Sequence, residues 1–372
     1  MATVAVREPK YRQVYAALRR QIQSGRLKPG DRLPTEAELV RVFGASRITV
    51  GRAVRDLQAA GLVNRRPRSG TYVAAQRPDH GLSFGLLIPD LGETEIFESI
   101  CQGMMASPLA REHALVWGSV TGAGTSKENL AWQLSRQYIE RHVSGVFFAP
   151  VELTPNKDDV NHRIARALDA ARIPIVLLDR TVFPYPERGV HDLVGIDNRR
   201  AGFVITAHLL RLECRRVAFA SLPHAAATVD AREAGYREAL YVWNVAVDAA
   251  LLWRIDPDDH TAVKTSMDAC RPDAVVCAND RTAARLMHTL LHLGYAIPRD
   301  VRLVGIDDVE YASLLPVPLT TLRQPTRQIG DAALTAMLDR VRRPDLPPRD
   351  ILLHPKLVVR ASCGATSGIA ST

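Results

Sequence analysis

Four pairs of polar residues stand directly after short apolar runs: Asp179-Arg180 after IPIVLL, Asp197-Asn198 after DLVGI, Asn279-Asp280 after DAVVCA and Asp307-Asp308 after RLVGI. Pro89-Asp90 closes a fifth such run, and Arg232 opens a helical stretch beyond the run RRVAFAS. Carboxylate, amide and guanidinium groups fix the directions of the hydrogen bonds they make, so a set of them suits a small ligand rich in hydroxyls. Any one of them alone is as readily a helix N-cap; their recurrence favours a ligand cleft. A second set is cationic: Arg47, Arg52 and Arg55 on one stretch, then Arg65, Arg66 and Arg68 around Pro67. Arginines so grouped contact phosphate, which positions a partner without reading its sequence. Nothing resembles a nucleophile elbow, a glycine-rich phosphate loop or a His/Cys metal set, so neither an enzyme, nor a metal, nor a cofactor is expected.

The elements that must carry the cationic set are legible between Leu33 and Val73. Leu39, Val42 and Phe43 form one apolar stripe, and Val50, Ala53, Val54 and Leu57 form a second at helical spacing. Gly44 stands between them, where a tight turn needs a residue tolerant of positive φ. Thr35 with Glu38 is a capping box for the first helix, Ser46 an N-cap for the second, and Gly61 the residue that closes it. LVNRR and TYVAA then alternate like two strands around Pro67-Arg68-Ser69-Gly70. This is a winged helix-turn-helix. At 100° per residue the second helix turns Ile48, Gly51, Arg52 and Arg55 away from its buried face, Arg52 most directly.

Charge agrees. Residues 1–75 hold 15 Lys and Arg against five acids, a net +10, and the rest of the chain nets −2 of the total +8. A positive field concentrated on one small domain marks a polyanion binder.

From Leu82 the chain alternates strand-like runs (SFGLLI, ALVWGSV, VSGVFFAP, IPIVLLD, DLVGID, RRVAFAS, DAVVCA, RLVGID) with helical stretches. Short, nearly all-apolar strands between amphipathic helices imply parallel sheets covered on both faces, with ligands outside the strands' carboxyl ends. So many units over about 280 residues imply two subdomains. The five cysteines are scattered and read as buried thiols. No long apolar run and no apolar leader is present, so no membrane partner and a cytoplasmic location are expected.

Residues 11–74 resemble the GntR family of bacterial regulators through GDRLPTEAEL, SRITVGRAVRDLQAAGLVNRR and SGTYV. From 82 to about 364 the chain resembles the effector domain of LacI/GalR repressors, which is related to periplasmic sugar-binding proteins. The carrying residues are FGLLIPD, VSGVFFAP, IPIVLLDR, VGIDNRRAG, AREAGYREAL, PDAVVCANDRTA, VRLVGIDDVEYASLLPVPLTTLRQP and KLVVRAS. The combination is similar to arabinose-repressor-type regulators. The fold it implies is an α+β winged helix-turn-helix followed by an α/β periplasmic-binding-protein-like domain of two doubly wound parallel-sheet subdomains.

The resemblance assigns 1–75 to DNA binding, 76–81 to a linker, 82–364 to effector binding and dimerisation, and 365–372 to a tail. Subdomain one would be 82–195 plus 325–349, subdomain two 196–324 plus 350–364, with crossovers near 195, 324 and 350. Residues 325–348 would return to the first subdomain as one helix, and 351–361 would add a strand to the second. The DNA-binding set becomes Thr35, Ser46, Arg47, Thr49, Arg52, Arg55, Arg65, Arg66, Arg68 and Gly70. Gly51 and Ala37 stand where the family usually has arginine, so its base preferences do not transfer. Cleft residues carried across are Asp179, Arg232, Asn279, Asp307 and Gln324, with Phe97 and Trp253 as candidates to stack on an apolar ligand face; core or surface packing is favoured for Trp253, where the match is loose. The implied function is a ligand-responsive repressor that binds operator DNA as a homodimer and senses a small polar molecule of the sugar class. The alternatives are a DNA binder with a degenerate cleft, or an α/β enzyme.

Overall fold

Apolar spacing and caps decide the first helices. Val14, Leu18 and Ile22 recur every fourth residue and are buried along α1 (Lys10–Gln23). The Thr35–Glu38 capping box starts α2 (Glu36–Phe43), and Gly44 ends it at φ 56° in the left-handed region. Ser46 Oγ accepts from Thr49 N at 3.2 Å and starts α3 (Arg47–Ala59). The wing is the antiparallel pair β1 (Val63–Arg66) and β2 (Gly70–Val73), extended by a bridge from Arg32 to Tyr72. The computed structural model describes residues 10–23, 26–28, 30–59, 62–66, 69–73, 81–89, 95–118 and 126–365. Gly61, Arg68 and most of the linker fall outside them.

The chain divides into two units, Met1–His80 and Gly81–Thr372. The first has its own core, in which Val50, Ala53, Val54 and Leu57 of α3 meet Leu18, Leu39 and Val63. Val42 corrects the expected stripe: it is 74% exposed, because a helix of two turns needs only Leu39 and Phe43 to seat it.

The second unit begins β3 (Ser83–Leu87), α4 (Glu95–Ala106), β4 (Ala114–Trp117), α5 (Lys127–Glu140), β5 (Gly145–Phe148), α6 (Lys157–Ala170), β6 (Ile175–Leu178), β7 (Asp192–Ile196). It continues α7 (Asn198–Arg211), β8 (Val217–Ser221), α8 (Ala227–Val242), β9 (Leu252–Arg254), α9 (His260–Cys270), β10 (Ala274–Cys277), α10 (Asp280–His292), β11 (Arg302–Asp307). Last come β12 (Thr320–Arg323), α11 (Thr326–Arg342), β13 (Asp350–Leu353) and β14 (Lys356–Val358). One sheet has the order β13-β7-β6-β5-β3-β4 and is parallel throughout; the other is β14-β12-β11-β10-β8-β9, parallel except for β14. Helices α4 and α11 cover one face of the first sheet, and α5 and α6 the other. Helices α7 and α8, then α9 and α10, do the same for the second.

The chain crosses between subdomains three times, as expected, at 196–198, 323–326 and 353–356. The last crossing corrects the boundary at 349/350. Residues 350–353 pair with β7 in the first sheet, and only 356–358 join the second. The single strand expected over 351–361 is broken by His354-Pro355, since proline has no N–H for the ladder. The return of α11 is held by buried Asp192, which accepts from Arg340 at 2.9 Å and from the Arg349 backbone N–H at 2.8 Å.

Candidate functional site

Within the second unit the strand-end residues converge. Arg232, on α8, is 3% exposed. Its Nε donates to Asn198 Oδ1 at 2.8 Å, its Nη1 to the Ala278 carbonyl at 2.6 Å, and its Nη2 lies 3.7 Å from Asp307 Oδ1. Asp307 ends β11 at φ 135° and also accepts from Gln324 Nε2 at 2.7 Å. From the first subdomain comes Asp179, at φ 66° just past β6, with its neighbour Arg180 paired to Glu152.

Burial dominates the electrostatics. The Asp307 carboxyl is pushed up to about 8, because loss of water outweighs the opposing charge of Arg232 and the Gln324 hydrogen bond. Burial likewise raises Asp179, against the pull of Arg180 and Arg232. That Arg232 acts on both carboxyls places it in the field of both subdomains. Asp179 Oδ1 and Ser221 Oγ, at the ends of β6 and β8, are buried with no hydrogen-bond partner among the described residues. Such atoms are costly to leave unpaired.

Asp179, Arg232, Asp307 and Gln324 are thus brought together. Asn279 lies at the end of β10 and spends its Oδ1 as the N-cap of α10, accepting from Thr282 N at 2.8 Å. Phe97 is fully buried, and Arg180 lies over its ring at 5.3 Å from the centroid, covering a face expected to meet ligand. Trp253, on β9, packs in the core, as its loose match to the family favours, its Nε1 donating to the Ala250 carbonyl at 3.1 Å. Arg180 and Asn198 belong to the strand-end pairs read from sequence but not to the carried-across cleft set, and Ser221 was not singled out at all. The signal for each was its place at a strand end.

In the first unit Arg47, Arg52 and Arg55 are exposed on α3, with Ile48 beside them at 81%. Arg52 lies over the Tyr11 ring, 4.1 Å from its centroid, and Arg65 is 3.6 Å from Glu36. Thr35 and Ser46 cap their helices, and Thr49 Oγ1 is 2.8 Å from Ser46 Oγ. Gly70 sits at φ 123° in the wing, where only glycine is comfortable. Arg66 is placed by its backbone in β1, and Arg68 lies outside the described residues.

Comparison with known proteins assigns both units. Residues 10–73 match the gntR family of bacterial regulatory proteins, and residues 206–363 match a periplasmic binding protein-like domain. An HTH-type transcriptional repressor PurR of Vibrio campbellii is 30% identical over 238 residues, 62% of this chain and 68% of the relative. The chain belongs to the HTH-type transcriptional repressors. Its DNA-reading unit is of the GntR type and its second unit of the LacI type. An arabinose metabolism transcriptional repressor of Geobacillus stearothermophilus is 27% identical over 366 residues, 95% of this chain and 97% of its own length. A LacI family regulator of Enterococcus faecium, solved with bound ribose, superposes with a TM-score of 0.61 at 21% identity, covering 75% of this chain and 98% of its own. Among the described residues of the repressor, no helix is long and apolar enough to cross a membrane, and no group of three His, Cys, Asp or Glu could hold a metal.

Proposed function

We propose that this repressor binds operator DNA as a homodimer through α3 and the wing, and that a sugar-class effector in the cleft changes its operator affinity. The carrying observation is the buried Arg232–Asp307 pair of the second subdomain, with Asp179 of the first subdomain buried within its electrostatic reach and the Asp179 Oδ1 acceptor unpaired. A guanidinium opposed to carboxylates holds vicinal hydroxyls in a fixed direction. The repressor of arabinose metabolism and the ribose-bound regulator are in keeping with that ligand class. Because Asp179 and Arg232 sit on opposite subdomains, occupancy selects one angle between them, and linkage then couples that choice to DNA.

A panel of pentoses, hexoses and uronates, screened by melting temperature, tests the cleft, since a ligand specific to the folded state stabilises it by RT ln(1 + [L]/Kd). Hits are expected to shift affinity for a duplex selected in vitro. Their own affinity is expected to rise with pH up to about 8 and then level off, because hydroxyl donors favour ionised Asp307. The sign for stability is opposite: a carboxyl raised in the folded state stabilises the empty protein at low pH, and that contribution is lost as pH rises through about 8. A panel without any hit leaves a DNA binder with a degenerate cleft.

The DNA face makes its own prediction. Arg55→Ala removes an exposed cation of α3 and leaves the core of that unit intact. If Arg55 contacts phosphate, binding weakens on specific and unrelated duplexes alike, and the slope of log K against log salt flattens by about 1. A loss confined to one sequence would instead make Arg55 a base-reading residue.

A further inference from the structure

Two of the three crossovers also frame a separate open cavity of about 300 Å³, lined by Ser99, Arg323, Gln324, Arg327, His354 and Lys356 among others, with no carboxylate in its wall. Arg323 and Lys356 are register partners on β12 and β14, so two cations stand directly opposite each other across a strand pair. Like charges so placed oppose pairing unless something anionic lies between them. Asp308, which takes Arg323 Nε at 2.5 Å, is already shared with Arg360 Nη2 at 2.6 Å. Arg327 and Lys356 have no ion-pair partner among the described residues. The cavity also meets the start of α11, which has no side-chain cap and no acid in its first turn.

We propose that this cavity binds a phosphate group, free or as a small monoester, and that its occupant sets the subdomain angle. Strands β12 and β14 belong to the second sheet, whereas Arg327 on α11 and Ser99 on α4 belong to the first subdomain, their helices joined by a 2.7 Å contact between Ser99 Oγ and Thr326 Oγ1. An anion held by both therefore braces the two subdomains against each other. Gln324 carries the effect onward, since it lines this cavity and donates to Asp307 in the effector cleft. Binding itself requires nothing of the cleft; only the coupling rests on the cleft being the effector site.

Calorimetric titration of the full chain with inorganic phosphate and with methyl phosphate, at constant ionic strength, tests this. A saturable isotherm is expected, weakened at least tenfold in Arg327→Ala and in Lys356→Ala, and largely restored in Lys356→Arg. Both positions are exposed, and unchanged far-UV circular dichroism and melting temperature would exclude misfolding. Phosphate is also expected to slow amide exchange at residues 323–328 and 354–356 in the parent protein but not in Lys356→Ala. Tighter binding of methyl phosphate than of phosphate identifies an ester as the ligand, and the reverse identifies the free ion. Isotherms that do not saturate, or that are identical in both alanine variants and the parent, overturn the proposal. So does loss of binding in Arg232→Ala with retention in Lys356→Ala, which would place the anion in the cleft.

Discussion

Arg232→Ala is expected to weaken effector binding at least a hundredfold, about 2.7 kcal/mol, while operator affinity without effector stays at the parent level. The side chain is nearly inaccessible, so the ligand would meet it only inside the closed cleft, where charge-assisted hydrogen bonds contribute about 1.5–3 kcal/mol each. Stability falls as well. Asn198 Oδ1 and the Ala278 carbonyl lose their donor, which costs roughly 1–3 kcal/mol for each group left buried and unpaired. The Asp307 contribution to that loss is small, because its carboxyl is largely protonated at neutral pH and bears little charge to strand. Arg232→Lys separates the two effects. It keeps the charge but not the planar fork, so it is expected to recover stability more than effector affinity. Half-maximal effector concentration in an operator-binding assay checks the prediction; an unchanged value in the alanine variant would remove Arg232 from the effector site.

Much of this arrangement was readable beforehand because its cause is local. The i, i+3, i+4, i+7 stripe in α3, the Thr35–Glu38 box and Gly44 each act within one or two turns of helix, and each appears where spacing put it. All eight apolar runs contain strands; apart from the exposed edge strand β4 they are largely buried on both faces, and such a run needs no partner information to be recognised. What failed is decided elsewhere in the chain. The strand β9 has only three residues, and α9 buries a narrow line of Val263, Met267 and Cys270 among polar neighbours. The fate of 350–353 depends on whether β7 or β12 offers the free edge, and nothing within those four residues says which. The cleft divides in the same way. A strand-end Asp can be anticipated as polar and directed, but Asn279 spent on a cap and Asp307 left for the cleft look alike in sequence. Trp253 is the converse: its loose match to the family favours packing over a ligand face, and the core takes it.

Gly202→Ala is expected to be among the most damaging single-methyl changes in the second unit. Gly202 on α7 and Gly235 on α8 let the two helices touch backbone to backbone: a Cβ on Gly202 would overlap the Arg232 carbonyl, and one on Gly235 the Arg199 carbonyl. No side-chain rotation relieves either overlap, so the helices must separate. Overpacking costs about 1–3 kcal/mol where neighbours can adjust, and a backbone obstacle puts this case at or above the upper end. The damage reaches function because Asn198 begins α7 and Arg232 lies on α8, so separating the helices breaks the 2.8 Å bond that orients the guanidinium. A fall in melting temperature together with loss of effector response, at a stability where the first unit still folds and binds DNA, is the expected pattern. Gly51→Ala is the matched comparison. It too is a helical glycine, but nothing lies within 4 Å of where its Cβ would stand, so alanine should stabilise α3 by roughly 0.5–1 kcal/mol. If Gly51→Ala also weakens operator binding despite that gain, the glycine serves close approach of the helix to DNA. If Gly202→Ala melts like the parent, the close α7–α8 contact is not what seats Arg232.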